Sequence, residues 1–182
     1  MHSSGRTMAQ LTEKTIAEIT RQAEGKLGEY GKLYDILADY VFTILELNAH
    51  VLMYPLDDIC IWGFFEKFRN KYFVCINSSL EIEKQVFTAA HELYHLWFSD
   101  GSELITAETV DAPIEKSIPE SEQKANRFAA EFLMPEALLR KEIKNFSINA
   151  RAITVKEILI LSNSFLVPYR AMVKRLYEVD IL

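Results

Sequence analysis

The stretch Val86–Gly101, with the sequence VFTAAHELYHLWFSDG, decides both the fold and the chemistry of this chain. It contains two of the four histidines, His91 and His95, and Glu92 follows the first of them directly. Residues four apart on an α-helix lie on one face, with their Cβ atoms about 5–6 Å apart. Two imidazoles at this spacing can bind one metal ion, and Glu92 can lean toward the coordination position that the protein leaves open.

The pattern H-E-x-x-H on a helix is typical of zinc hydrolases. Zinc lowers the pKa of a bound water to about 7, and the carboxylate of Glu92 can accept its proton. The alternative is a buried helix that carries two histidines by chance. Burial argues against this alternative, because histidines and a glutamate without partners are costly in an apolar interior. The sequence therefore predicts one zinc ion per chain on this helix.

Composition limits the class of protein. The 182 residues are 49% hydrophobic and 25% charged, which is typical of one folded domain and excludes a disordered chain. A net charge of −6 disfavours a general nucleic-acid binder, since phosphate contacts need clustered lysine and arginine. Without an apolar run that could span a membrane or serve as a signal peptide, we expect a cytoplasmic protein. Cys60 and Cys75 form no C-x-x-C pair, which favours small core residues.

Hydrophobic periodicity predicts the elements that precede the histidine pair. Helical spacing predicts helices over about 8–26, ending near Gly25 and Gly28, and over 31–47. Residues 50–77 are rich in β-branched and aromatic side chains, which favours three short antiparallel strands with a hairpin turn at Arg69-Asn70-Lys71. Ser78 and Glu81 match a capping box, so we expect Ser78 to open the histidine helix, which should end near Asp100-Gly101.

The rest of the chain is predicted to be helical. One helix runs from about Pro119 to Met134, a second starts at Pro135, and two more are joined around Phe165–Pro168. The expected class is a single α+β domain. Its parts are N-terminal helices (8–47), a small antiparallel three-stranded sheet (50–77), metal-site helices (78–135) and a C-terminal helical region (136–182).

The metal needs a third protein ligand. No histidine follows His95, so the ligand should be a downstream carboxylate; the candidates are Asp100, Glu103, Glu108, Asp111, Glu115, Glu120, Glu122, Glu131 and Glu136. Glu122 stands out, because it shares a helical face with Ala125, Asn126 and Ala129. Small residues allow that helix to lie close to the histidine helix. The alternative for Glu122 is a solvated glutamate at a helix N-terminus.

Two motifs, FTAAHELYHLWF and EQKANRFAAEFLMP, together resemble the ImmA/IrrE family of metallopeptidases over about Gly63 to Leu139. The tail ITVKEILILSNSFLVPYRAMVKRL is similar to the C-terminal helical pair of that family. The resemblance implies a zincin-like fold in which His91, His95 and Glu122 bind zinc and Glu92 is the general base. It also implies an endopeptidase whose partner is a helix-turn-helix transcriptional repressor, in systems found on mobile elements or in stress responses.

The sequence also allows an alternative to the peptidase: a non-proteolytic zinc-binding module that controls a repressor by direct contact. It is favoured by a departure from the family, since Tyr94 stands where the family often has glycine. Tyr94 could assist an oxyanion, cover the site, or simply pack, and packing is the favoured interpretation. A further departure, Pro168 where the family commonly has serine, is tolerated at a helix start.

Two other segments are candidates for binding a partner. The strand KYFVCIN could bind a substrate by strand addition, with Tyr72 and Val74 in contact, if it forms a sheet edge; otherwise it is an interior strand. The C-terminal helices resemble a helix-turn-helix in outline, but they carry few basic residues, namely Lys156, Arg170, Lys174 and Arg175. We therefore expect them to pack beneath the cleft rather than to contact DNA. The sequence predicts no oligomeric state.

Overall fold

The computed structural model describes residues 11–99 and 118–182, together with the backbone of 104–106. The helices of these ranges are α1 (Glu13–Glu29), α2 (Tyr40–Asn48), α3 (Ile82–Phe98), α4 (Glu120–Leu133), α5 (Glu136–Asn145), α6 (Val155–Phe165) and α7 (Tyr169–Glu178). The strands are β1 (His50–Tyr54), β2 (Ile61–Phe68), β3 (Lys71–Asn77) and β4 (Leu104–Thr106). The α+β class is confirmed, as are the four helices expected after the histidine helix.

The sheet is mixed, so the prediction of three antiparallel strands is wrong. Its order is β1-β3-β2-β4, and β1 runs parallel to β3, whereas β2 is antiparallel to both β3 and β4. The chain crosses the end of β3 between β1 and β2, and the buried Asn77 side chain holds this crossing. Its Oδ1 accepts from the Leu56 and Ser79 amides, both at 3.0 Å, and its Nδ2 donates to the Ile61 carbonyl at 2.9 Å.

The turn between β2 and β3 follows the sequence prediction. Arg69 and Asn70 have φ of 48° and 60°, the left-handed pair that a two-residue type I′ hairpin turn requires. The strand that follows, β3, is paired on both sides. Of the two alternatives for this strand, the interior one is therefore confirmed, because its main-chain groups bind β1 and β2. Contact of Tyr72 or Val74 with a substrate stays a prediction. Val74 is 1% exposed.

The helices before the sheet differ from the prediction in their bounds. Gly25 and Gly28 lie inside α1, and the chain reverses at Gly31, where φ is +66°. The predicted helix over 31–47 is reduced to α2, because Ala38 adopts a left-handed φ of 46° that interrupts the periodic segment. Leu37 is nevertheless buried. At this point the apolar pattern of the sequence indicates burial and not helical structure.

The start of α3 also corrects the prediction. Ser78 does not cap this helix; the N-cap is Glu81, and its side chain forms no capping hydrogen bond. The turn at Ser79 is instead closed by Asn77, which removes the geometry of a capping box. The helix ends at Phe98, two residues before the predicted Asp100, which lies outside the described residues.

The core places α3 at the centre of the domain. This helix packs against β2 and β3 on one side and against α4 on the other, and α1 lies against α4. Ala125 and Ala129 of α4 are fully buried at the α3 contact, as their size predicted. Ridges of small residues allow this close approach of two helices.

A buried ion-pair network joins α1, α4 and α7. Glu131 of α4 accepts hydrogen bonds from Thr20 at 3.1 Å, from Arg127 at 2.6 Å and from both terminal nitrogens of Arg175. Arg175 is 1% exposed, and its Nε donates to the Met134 carbonyl at 3.0 Å. Its charge is therefore neutralised inside the domain.

Candidate metal centre

Three side chains from α3 and α4 converge in the interior of the domain. His91 and His95 are 0% exposed and Glu122 is 3% exposed, and their donor atoms lie within 4.8 Å of one another. The two Nε2 atoms are 3.1 Å apart. Glu122 places Oε2 at 3.3 Å from His91 Nε2 and Oε1 at 3.2 Å from His95 Nε2. This group could hold a metal ion.

The spacing of these donor atoms fits a zinc ion. Bonds of about 2.0–2.1 Å in a tetrahedral arrangement put neighbouring donor atoms about 3.4 Å apart. The observed separations between the three side chains are 3.1, 3.2 and 3.3 Å. Two imidazoles and one carboxylate also form the donor set of several catalytic zinc sites, which leave a fourth position open.

Asn126 orients the first histidine. His91 Nδ1 donates to Asn126 Oδ1 at 2.8 Å, so the proton is held on Nδ1 and the Nε2 lone pair faces His95 and Glu122. Burial lowers the pKa of His91, although the nearby carboxylate of Glu122, which would stabilise a protonated ring, acts in the opposite direction. A neutral imidazole is the form that can bind a metal, because a protonated ring has no lone pair to offer.

Glu92 lies on the sheet side of α3 and is 0% exposed. Gly63 of β2 lies close to it: a Cβ at this glycine would lie 3.7 Å from Glu92 Oε1 and only 2.7 Å from both Thr88 Cγ2 and the Cys75 carbonyl oxygen. The missing side chain of Gly63 therefore allows the strand to approach the helix that carries Glu92.

Tyr94 is packed among aromatic rings. Its ring centroid lies 5.6 Å from those of Phe98 and Phe128 and 5.7 Å from that of His95. Burial raises the pKa of its phenol. These contacts support the packing role for Tyr94; its direct contact with a substrate stays a prediction.

The other carboxylates considered as third ligands are engaged elsewhere or not described. Glu120 pairs with Lys124 at 2.8 Å, Glu136 pairs with Arg140 at 2.7 Å, and Glu131 belongs to the buried network with Arg175. The remaining candidates lie outside the described side chains: Asp100, Glu103, Glu108, Asp111 and Glu115. Of the candidates that the structure describes, Glu122 is the one beside both histidines.

Two residues of the centre did not emerge from sequence reasoning. The sequence places Asn126 on the helix face of small residues but does not predict its hydrogen bond to His91. Its position four residues after Glu122 puts both side chains on one face. The close approach of Gly63 to α3 cannot be predicted from the sequence, because the tertiary fold brings Thr88 and Glu92 to this glycine.

An H-E-x-x-H helix that packs on a small mixed sheet, with a glutamate of α4 beside both histidines, defines a metallopeptidase-like domain. The family model of the Peptidase_M78, IrrE N-terminal-like domain matches residues 45–177. The chain belongs to this family, which is the one that the two motifs resemble.

Comparison with solved structures agrees with the fold. A Mycobacterium tuberculosis transcriptional regulator superposes with a TM-score of 0.56 at 16% identity, covering 87% of this chain and 46% of that chain. This chain thus spans about half the length of that regulator. No match was found among curated proteins. Within the described parts of the chain, no helix has both the length and the apolar character needed to cross a membrane.

Proposed function

We propose that this chain is a zinc-dependent endopeptidase in which His91, His95 and Glu122 hold the metal and Glu92 is the general base. The observation that carries the proposal is the meeting of these three donor side chains within 4.8 Å, two of them on the helix that also carries Glu92 and the third on α4. A metal held there would supply Lewis acidity toward a peptide carbonyl and would acidify a water.

The residues of the chain supply the rest of the reaction. Glu92 accepts a proton from the attacking water and later delivers it to the leaving amine, which requires a carboxylate that is ionised before substrate arrives. Asn126 keeps the imidazole of His91 in one tautomer and one orientation through the 2.8 Å hydrogen bond. The alanine face of α4 keeps Glu122 against α3, so the three donors are arranged before any ligand enters.

We further propose that the substrate is a helix-turn-helix transcriptional repressor and that the whole described chain acts as one zincin-like domain. Family membership supports a peptidase. The repressor is a narrower proposal; the structural neighbour of 16% identity is a transcriptional regulator. The alternative, a zinc-binding module that controls a repressor by contact, predicts the same metal site without cleavage.

The test compares the zinc-loaded wild type with Glu92→Gln, using as substrate the purified helix-turn-helix repressor encoded nearest to the gene of this chain. Products are identified by intact mass, and zinc is measured in both proteins. We expect one zinc in each protein and cleavage by the wild type alone, because the amide of glutamine cannot accept the proton. Equal cleavage by Glu92→Gln would show that the assigned base is wrong. Tight binding of the repressor without cleavage would favour the regulatory module.

A further inference from the structure

A cavity lies away from the metal centre, between the first turn of α3 and the turn that joins α6 to α7. Its volume is about 430 Å³, which falls within the range of about 300–1,000 Å³ that is usual for small-molecule sites. Trp62, Leu159 and Val167 form its apolar wall. None of the candidate metal ligands lines it, and neither does Glu92.

The polar part of the wall favours an anionic group. Two helices begin there: α3 follows the cap Glu81 and α7 follows the cap Pro168, and neither cap residue provides a side-chain hydrogen bond. The first amides of such helices carry partial positive charge. Arg170, in the first turn of α7, also lines the cavity and is exposed. It forms no ion pair with any side chain that the structure describes.

Ser162 is an independent indication of a ligand. This residue lines the cavity and is 3% exposed, and its Oγ has no hydrogen-bond partner among the described residues. A buried hydroxyl without a partner loses the hydrogen bonds that water would give it. Rotation of this side chain toward the cavity would let a ligand oxygen restore one of them.

The charges of the wall also limit how negative the ligand can be. Lys84 is already paired with Glu81 at 3.0 Å, and the second carboxylate, Glu83, forms no ion pair with a described side chain. Glu83 would therefore repel a doubly charged group such as phosphate more strongly than a single carboxylate. We propose that this cavity binds a small organic monocarboxylate with an aromatic or branched apolar body.

The two tryptophans of the chain provide a direct test. Trp62 lies in the cavity wall, whereas Trp97 stacks on Tyr30 in the core, with ring centroids 6.1 Å apart. Both give separate indole N–H signals in the ¹⁵N-labelled full chain. On titration with 3-phenylpropionate, the Trp62 signal should shift and saturate while the Trp97 signal stays in place. The neutral amide, 3-phenylpropanamide, should bind at least about tenfold more weakly, since it lacks the charge-assisted hydrogen bonds.

Charge variants separate a real site from nonspecific binding. Arg170→Gln should weaken binding of 3-phenylpropionate about tenfold, Glu83→Gln should strengthen it severalfold, and Arg151→Gln, at an exposed arginine outside the cavity, should leave it unchanged. No saturable shift of Trp62 would overturn the proposal, as would equal affinity for the amide or no effect of Arg170→Gln. A stronger response to inorganic phosphate than to 3-phenylpropionate would contradict the monocarboxylate assignment.

Discussion

His91 and Asn126 are joined by a hydrogen bond of 2.8 Å from ring Nδ1 to amide Oδ1, across the contact between α3 and α4. The bond links the orientation of a candidate metal ligand to the helix that also supplies Glu122. Since an amide oxygen can only accept, the proton must lie on Nδ1, and Nε2 is left to face the other two donors.

Asn126→Ala should weaken zinc binding about 10- to 100-fold, the usual cost of removing a group that orients a histidine ligand. Asn126→Asp should keep most of the affinity, because it keeps the acceptor. Competition with a zinc chelator measures both constants. The control is Asn145→Ala, an exposed asparagine on α5 that bonds Glu142 at 3.0 Å. If Asn126→Ala bound zinc like the wild type, the hydrogen bond would have no role in the site.

Gly63→Ala should destabilise the protein by about 1–3 kcal/mol, the usual range for overpacking a core. The new Cβ would lie 2.7 Å from the Cys75 carbonyl oxygen, which cannot rotate away, and 2.7 Å from Thr88 Cγ2. To relieve these contacts, β2 must move away from α3. This movement should also reduce peptidase activity, because Glu92 lies at the same contact. Urea unfolding gives the free energy of unfolding.

A matched alanine substitution separates this contact from the general properties of glycine. Gly25 lies inside α1, and its added Cβ would meet no atom within 4 Å. Gly25→Ala should therefore be neutral or stabilising by about 0.5–1 kcal/mol, because alanine favours a helix. Equal destabilisation by both substitutions would refute the role of the close approach at Gly63.

Arg175→Met should lower the free energy of unfolding by about 3 kcal/mol, because it leaves the buried Glu131 with only part of its ion-pair network. Glu131 would keep its hydrogen bonds from Arg127 and Thr20. The expected loss is therefore at the lower end of the range of about 3–5 kcal/mol for breaking a buried ion pair. The control is Lys32→Gln, which removes the exposed pair with Asp35 and should cost at most about 1 kcal/mol. Similar effects of the two substitutions in urea unfolding would contradict this account of the network.

The N-terminus of α6 should give a pH-dependent contribution to stability. Hydrogen bonds from the Thr154 backbone and side chain lower the pKa of Glu157 below its usual value of 4.5. Because the folded pKa is the lower one, this stabilisation is present above pH 4.5 and is lost as the pH falls through the folded pKa. Glu157→Gln should thus destabilise the protein at pH 7, and its difference from the wild type should shrink as the pH falls below 4.5. A difference that does not depend on pH would contradict the capping role.

The sequence predicts the grouping of the candidate metal ligands better than it predicts the sheet. Helical spacing is local, so the positions of His91 and His95 on one face, and of Glu122 on a face of small residues, could be read from the chain. The direction of β1 could not, because it depends on a crossing held by Asn77, whose partners lie up to 21 residues away. The short α2 was missed for a related reason: the left-handed Ala38 interrupts a segment whose apolar pattern continues into the core.

The zinc content of two purified variants tests the metal centre most directly. The wild type, Glu122→Ala and Glu120→Ala are loaded with zinc, desalted and measured by elemental analysis, with thermal unfolding as a check of folding. Glu120 lies on the same helix but is exposed and pairs with Lys124, so it serves as the control. We predict one zinc per chain in the wild type and in Glu120→Ala, and little or none in folded Glu122→Ala. Equal zinc retention in Glu122→Ala, or no zinc in the wild type, would contradict a site built from His91, His95 and Glu122.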